Sequence, residues 1–176
     1  MTVPIYTPLF RQLYILLNAI PLLKYTILIC LLLGLAACAS DEPSPDINVA
    51  MLNRLNSIRA AGCTCGTTSY TPAQKLTLEG KLSDAAFAHA QDMYQQNYFS
   101  HVSPQGISPE ERVTAAGYPG SFLAENIASG CTTVNEAVNA WLQSPSHCEA
   151  IMTHEADEMG VAQVNSYWVL ELGKKN

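Results

Sequence analysis

Apolar residues follow two different periods along this chain, and the first stretch follows neither. Residues 13–37 are almost continuously apolar, densest in I-L-I-C-L-L-L-G-L (27–35), with Lys24 just before that run and Arg11 further upstream. A short apolar run with a basic flank, ending in small residues, has the layout of a secretory signal. Asn18, Pro21 and Lys24 interrupt the longer stretch, which argues against an uncleaved bilayer span. Residues 39–45 (A-S-D-E-P-S-P) are polar with two prolines and read as a short tether. The helical period then takes over. Asp46 can cap a helix to about Ala60, with Ile47, Met51, Leu52, Leu55 and Ile58 on one face and Gly62 as its stop. Cys63 to Pro72 reads as a loop. A second helix is expected from Thr77 or Leu78 to near Asn97, its stripe formed by Leu78, Leu82, Ala85, Ala86, His89 and Met93, with alanines that let another layer approach closely. Ser100 to Ile107 is a loop. S-P-E-E (108–111) and T-V-N-E (133–136) are capping boxes, opening a short helix that ends at Gly117 and another that runs through Leu142. Ser144-Pro145 stops the latter, and a further turn or two follows over Ser146 to Met152. The strand period appears at Phe122–Ser129, Gly160–Val164 and Tyr167–Leu172, the last two joined by a hairpin at Asn165-Ser166. Helices precede the strands and sit between them. The expected class is α+β, a three-layer α-β-α sandwich around a central antiparallel sheet.

The apolar run closes on L-A-A-C (35–38) and resembles a bacterial lipoprotein signal, in which Cys38 is lipidated and becomes the first mature residue. The expected organisation is a signal over residues 1–37, a lipidated tether over 38–45 and a domain over 46–176. That places the domain outside the cytoplasm in the cell envelope, in the periplasm or on the outer membrane, with the membrane as its partner through Cys38. Without residues 1–37, seven basic residues face fifteen acidic ones, a net charge of −8. An acidic domain with no basic cluster excludes nucleic acid as the expected partner; a monomer is expected. Four cysteines remain after Cys38: Cys63, Cys65, Cys131 and Cys148. In an exported domain they read as two disulfides with three possible connectivities. Cys63 and Cys65 are too close to bridge each other comfortably, so each is expected to reach forward, one to Cys131 and one to Cys148. A metal site on the C-T-C pair lacks a second Cys/His pair at ligand spacing.

The candidate chemistry is a small set of side chains. His101 stands in a polar loop and His147 just past a helix stop, places that present side chains to solvent. Glu125 is the one acid of an otherwise apolar strand. A buried lone carboxylate is costly and needs a partner, most simply a histidine. A His/Glu/His cluster can hold a divalent metal through two imidazoles or act as an acid/base pair without one. His89, on an apolar stripe, reads as a core histidine donating to a backbone carbonyl. His154-Glu155 begins H-E-x-x-H, but Glu158 stands where the second histidine belongs. No G-x-S-x-G elbow accompanies the serines near these histidines. Trp141 and Trp168 read as core residues.

The pieces H-V-S-P-Q-G (101–106), A-E-N-I-A (124–128), W-L-Q-S-P-S-H-C-E-A-I-M (141–152), M-G-V-A (159–162) and Y-W-V (167–169) occur in order. Together they resemble the CAP superfamily, also called the SCP domain: cysteine-rich secretory proteins, antigen five and plant pathogenesis-related proteins. The likeness runs from about Asp46 to Leu172 and is greatest to the short bacterial branch. It implies an α-β-α sandwich with a central cleft of two histidines and two acids. His101 matches the first histidine, Glu125 the first acid and His147 the second histidine; Ser144 stands where the second acid would be. The resemblance further implies zinc held by His101 and His147, and a Cys65–Cys148 bridge, which would leave Cys63 with Cys131. It implies a binding module for a divalent cation, a small or lipid ligand, or a protein. The alternatives are a metal-assisted hydrolase of peptides or envelope material with Glu125 as catalytic base, and a purely structural envelope protein.

Overall fold

The computed structural model describes residues 46–176; the signal over 1–37, Cys38 and the tether lie outside the described residues. The elements are helix α1 (Ile47–Ala61), strands β1 (Cys63–Cys65), β2 (Thr68–Tyr70) and β3 (Thr77–Leu78), helices α2 (Gly80–Gln96) and α3 (Pro109–Ala115), strand β4 (Ser121–Ser129), helices α4 (Val134–Gln143) and α5 (Pro145–Ile151), and strands β5 (Glu158–Val164) and β6 (Tyr167–Lys174). The main sheet has the order β3-β5-β6-β4, and β1 and β2 form a separate antiparallel hairpin. Among the described residues, no helix is long and apolar enough to cross a membrane.

Strand alternation divides the core into two faces. Ala128, Met159, Val161, Trp168, Leu170 and Leu172 meet the apolar stripes of α1, α4 and α5 in one cluster. Ile127, Ala162 and Val169 face Ala86, Ala90 and Met93 of α2 on the other side. The α-β-α sandwich is therefore as expected. Gly160 allows α2 a tight approach to β5: a Cβ there would lie 2.1 Å from the backbone nitrogen of Ser83. Helix starts follow the sequence closely. Asp46 accepts from Asn48 N–H, and both capping boxes form, at Ser108/Glu111 and Thr133/Glu136.

Two elements differ from the reading of the sequence. Thr77-Leu78 is not the start of α2 but a two-residue strand, paired parallel to β5 in a sheet otherwise antiparallel. The N–H groups of Thr77 and Glu79 donate to the carbonyls of Asp157 (2.8 Å) and Met159 (2.9 Å). The helix is capped instead by the Glu79 carboxylate, which accepts from Leu82 N–H. The expected loop after Gly62 contains the β1-β2 hairpin, with Gly66 at φ 60° in its turn.

A cleft of histidines and a buried carboxylate pair

Glu125 lies on β4, the edge strand of the sheet, with a side chain only 2 % exposed. Three groups converge on it. His101, from the loop between α2 and α3, donates Nδ1–H to Oε1 at 2.7 Å. Arg112, on α3, donates from Nη2 to Oε2 at 2.7 Å. The third is Glu171, directly across on β6 in the antiparallel register. The two oxygens of Glu171 are buried without a hydrogen-bond partner, so two carboxylates here would repel unless one kept its proton. Burial, then the charge of Glu125, push the Glu171 carboxyl well above the ordinary range. Burial pushes Glu125 up as well, but the hydrogen bonds from His101 and Glu171 and the charge of Arg112 outweigh it, and its carboxyl stays below the usual value. The two shifts run in opposite directions and favour keeping the pair's proton on Glu171.

This arrangement fixes the chemistry of His101. In the neutral ring, with Nδ1–H given to Glu125, Nε2 keeps a lone pair, and the side chain is 46 % exposed. The His147 ring, carried by α5, lies with its centroid 6.3 Å from that of His101. Burial and then the neighbouring His101 lower the His147 pKa, favouring the neutral, ligating form. Asn126 precedes this contact from β4: its Nδ2 donates to the His147 carbonyl at 2.9 Å. Arg112 also holds the loop of His101, donating to the carbonyls of His101 (2.8 Å) and Ile107 (2.9 Å). His89 is fully buried beneath Glu125, its Nε2–H donating to the Ser100 carbonyl at 2.9 Å, the arrangement expected of a core histidine. Burial lowers its pKa, so it contributes no fixed charge near neutral pH.

The fold therefore brings His101, Glu125 and His147 to one rim. Ser144 does not join their contacts. It punctuates the α4–α5 junction, its Oγ 3.3 Å from that of Ser146. Arg112 and Glu171 are partners that the sequence reading missed. Glu171 carried the same signal as Glu125, a single acid in an apolar strand; Arg112 carried none, being one of several charges on a short helix. Glu125 orients His101 from behind, as the carboxylate does in a carboxylate–histidine pair. Each oxygen of Glu125 already accepts a hydrogen bond, from His101 and from Arg112.

The cysteines differ in part from expectation. Cys65 and Cys148 form a disulfide, Cα atoms 5.4 Å apart. Cys63 and Cys131 are free thiols and do not bridge. The reason is strand alternation: Cys63 and Cys65 lie two residues apart on β1, so both point to the same side and face the same partner. Cys63 Sγ is 3.5 Å from Cys148 Sγ. Cys131 sits at the entry to α4, its carbonyl held by Trp168 Nε1–H.

A model of the cysteine-rich secretory protein family, CAP, matches residues 52–171. YkwD of Bacillus subtilis (strain 168) is 37 % identical over 91 residues, a stretch that is 52 % of this chain and 35 % of that protein. The chain thus spans about a third of that relative's length. Among solved structures, an extracellular protein from Bacillus anthracis containing an SCP domain superposes with a TM-score of 0.65 at 23 % identity, over 73 % of this chain and 40 % of that one. An outer surface protein of Borrelia burgdorferi gives 0.60 at 24 % identity, over 73 % of this chain and 92 % of its own. These two likenesses establish the fold.

Proposed function

We propose, for a chain that belongs to the cysteine-rich secretory protein (CAP) family, that the domain is a binding module of the cell envelope whose rim holds a divalent cation between His101 and His147. The observation that carries this reading is the 2.7 Å hydrogen bond from His101 Nδ1 to Glu125. It commits one ring nitrogen to a buried carboxylate and leaves the other free at an exposed rim beside a neutral imidazole. Zinc suits two imidazole donors with open positions, and a cation bound there would supply Lewis acidity to a ligand. Lipidation at Cys38, after removal of a signal over 1–37, would tether the module to a membrane. The extracellular and outer-surface proteins that share the fold support such a location.

The hydrolase reading is less well supported. A general base near neutral pH needs a raised pKa and a free oxygen. Glu125 has a lowered one, its side chain is only 2 % exposed, and each oxygen already accepts a hydrogen bond. Calorimetry of zinc with the domain from Ala39 onward tests the proposal, in a Cys63→Ser/Cys131→Ser background so that free thiols contribute nothing. Binding is expected to disappear in the His101→Ala/His147→Ala double variant, and to weaken about 10- to 100-fold in Glu125→Gln, where only the orienting carboxylate is lost. Binding that survives the double variant unchanged refutes the site.

A further inference from the structure

Three sulfurs meet where α5, which carries His147, packs on the β1-β2 hairpin. The Sγ atoms of Cys63, Cys65 and Cys148 all lie within 4.8 Å of one another. Cys65 and Cys148 are bonded and almost fully buried, 4 % and 1 % exposed. Cys63 is half-buried, and its thiol contacts both sulfurs of the bridge, at 3.7 Å from Cys65 and 3.5 Å from Cys148. Such a cluster has no role in the cation site and is not needed to tie β1 to α5, for which two cysteines suffice. What the third adds is a nucleophile of the same chemistry as the leaving group, held by strand alternation on the same side of β1.

We propose that Cys63, Cys65 and Cys148 form a thiol–disulfide exchange site, in which Cys63 and Cys65 alternate as the partner of Cys148. The Cys63 thiolate attacks Cys148 Sγ; the Cys63–Cys148 bond forms, the Cys65–Cys148 bond breaks, and Cys65 leaves as a thiolate that takes up the proton Cys63 gave up. Two electrons are exchanged within the three sulfurs and no external oxidant is required. The two contact distances are nearly equal, so the thiol lies beside the bridge rather than on its extension. A rotation of the Cys63 side chain must precede in-line attack, and its partial exposure leaves room for one. Burial pushes the Cys63 thiol up, so exchange accelerates as pH rises. In either pairing α5 stays tied to the hairpin, and incoming low-molecular-weight thiols or disulfides meet the more exposed Cys63 first.

The test uses the full chain in detergent, held at pH 8.5 with iodoacetamide and then mapped as non-reduced peptides. Wild-type protein is expected to carry label on Cys65 as well as on Cys63, with the corresponding fraction of Cys63–Cys148 bond. The Cys63→Ser variant is expected to carry no label on Cys65. In Cys65→Ser, Cys63 is expected to take over the bond to Cys148. An unlabelled Cys65 in wild-type protein overturns the proposal, whether or not Cys65→Ser folds. So does label on Cys65 that persists in Cys63→Ser, because another thiol would then be the attacker.

Discussion

Arg59→Met destabilises the domain by about 4 kcal/mol, read as a lowered urea midpoint at an unchanged slope. Arg59 stands on the buried face of α1 and is fully enclosed, yet no carboxylate pairs with it among the described residues. Its guanidinium instead donates to four carbonyls: Gln74 through Nε (2.8 Å), Ile151 and Thr153 through Nη1 (2.7 and 2.9 Å), and Ala156 through Nη2 (2.8 Å). Those carbonyls belong to the segment before β3, to the last residue of α5 and to the segment between α5 and β5, where the backbone has no regular partners of its own. The planar fork of arginine matches this set as few other side chains could. Methionine fills similar volume but donates nothing, and each carbonyl left unpaired in the interior costs about 1–3 kcal/mol. Gln74 Nε2 still reaches the Ala156 carbonyl at 3.3 Å and recovers part of the loss, which is why the sum falls short of four full penalties. Arg59→Lys, with fewer donors and no fork, is expected in between. A loss under about 1 kcal/mol for Arg59→Met would mean that the two segments repack or hydrate freely, and the clamp would have no energetic content.

Arg59 also shows where a one-dimensional pattern stops. Its place on the α1 stripe could be read from the sequence, but its acceptors lie up to 97 residues away in the chain, and nothing local signals them. The helix starts were legible because caps are local: the side chains of Asp46, Ser108 and Thr133 each act within three residues. The β5-β6 hairpin was legible for the same reason, with Asn165 taking the positive φ of 56° that its turn requires. By contrast, β1, β2 and β3 are two or three residues long, too short to carry an alternation, and only pairing reveals them. The site divides along the same line. Glu125 stood out because a single acid in an apolar strand demands a partner. The identity of the partners was not legible, because Glu171 meets it through strand register and Arg112 through the docking of a short helix. Cys63 failed to find Cys131 because residues two apart on a strand share a side, a reason that appears only once β1 is known to be a strand.

The contribution of Glu171 to stability is expected to fall with rising pH across the range in which the folded group alone keeps its proton, and Glu171→Gln is expected to remove that contribution. The folded Glu171 pKa is raised well above 4.5. Above about pH 4.5 the unfolded chain therefore releases a proton that the folded chain retains, and by linkage the folded state loses stability as pH rises, at up to about 1.4 kcal/mol per pH unit, until the folded group titrates too. Glu125 acts on the other side. Its folded pKa lies below 4.5, so its contribution is complete above that pH and is lost as pH falls through the folded value. His89 and His147, both lowered, take stability away as pH falls below about 6.5. The wild-type curve alone mixes these effects, and the difference between wild type and variant isolates Glu171. Glutamine keeps the shape, still donates to Glu125 and has no proton to lose. Urea titrations from pH 4.5 to 8 should show Glu171→Gln gaining on wild type steadily with pH, to more than about 1 kcal/mol at neutrality. A variant that instead loses stability at pH 7 would mean that Glu171 is ionised and paired in the folded state. The single shared proton, and with it the orientation of Glu125 toward His101, would then be wrong. The measurement therefore bears on the cleft as well as on the core, since the imidazole tautomer that frees Nε2 depends on which of the two carboxyls holds the charge.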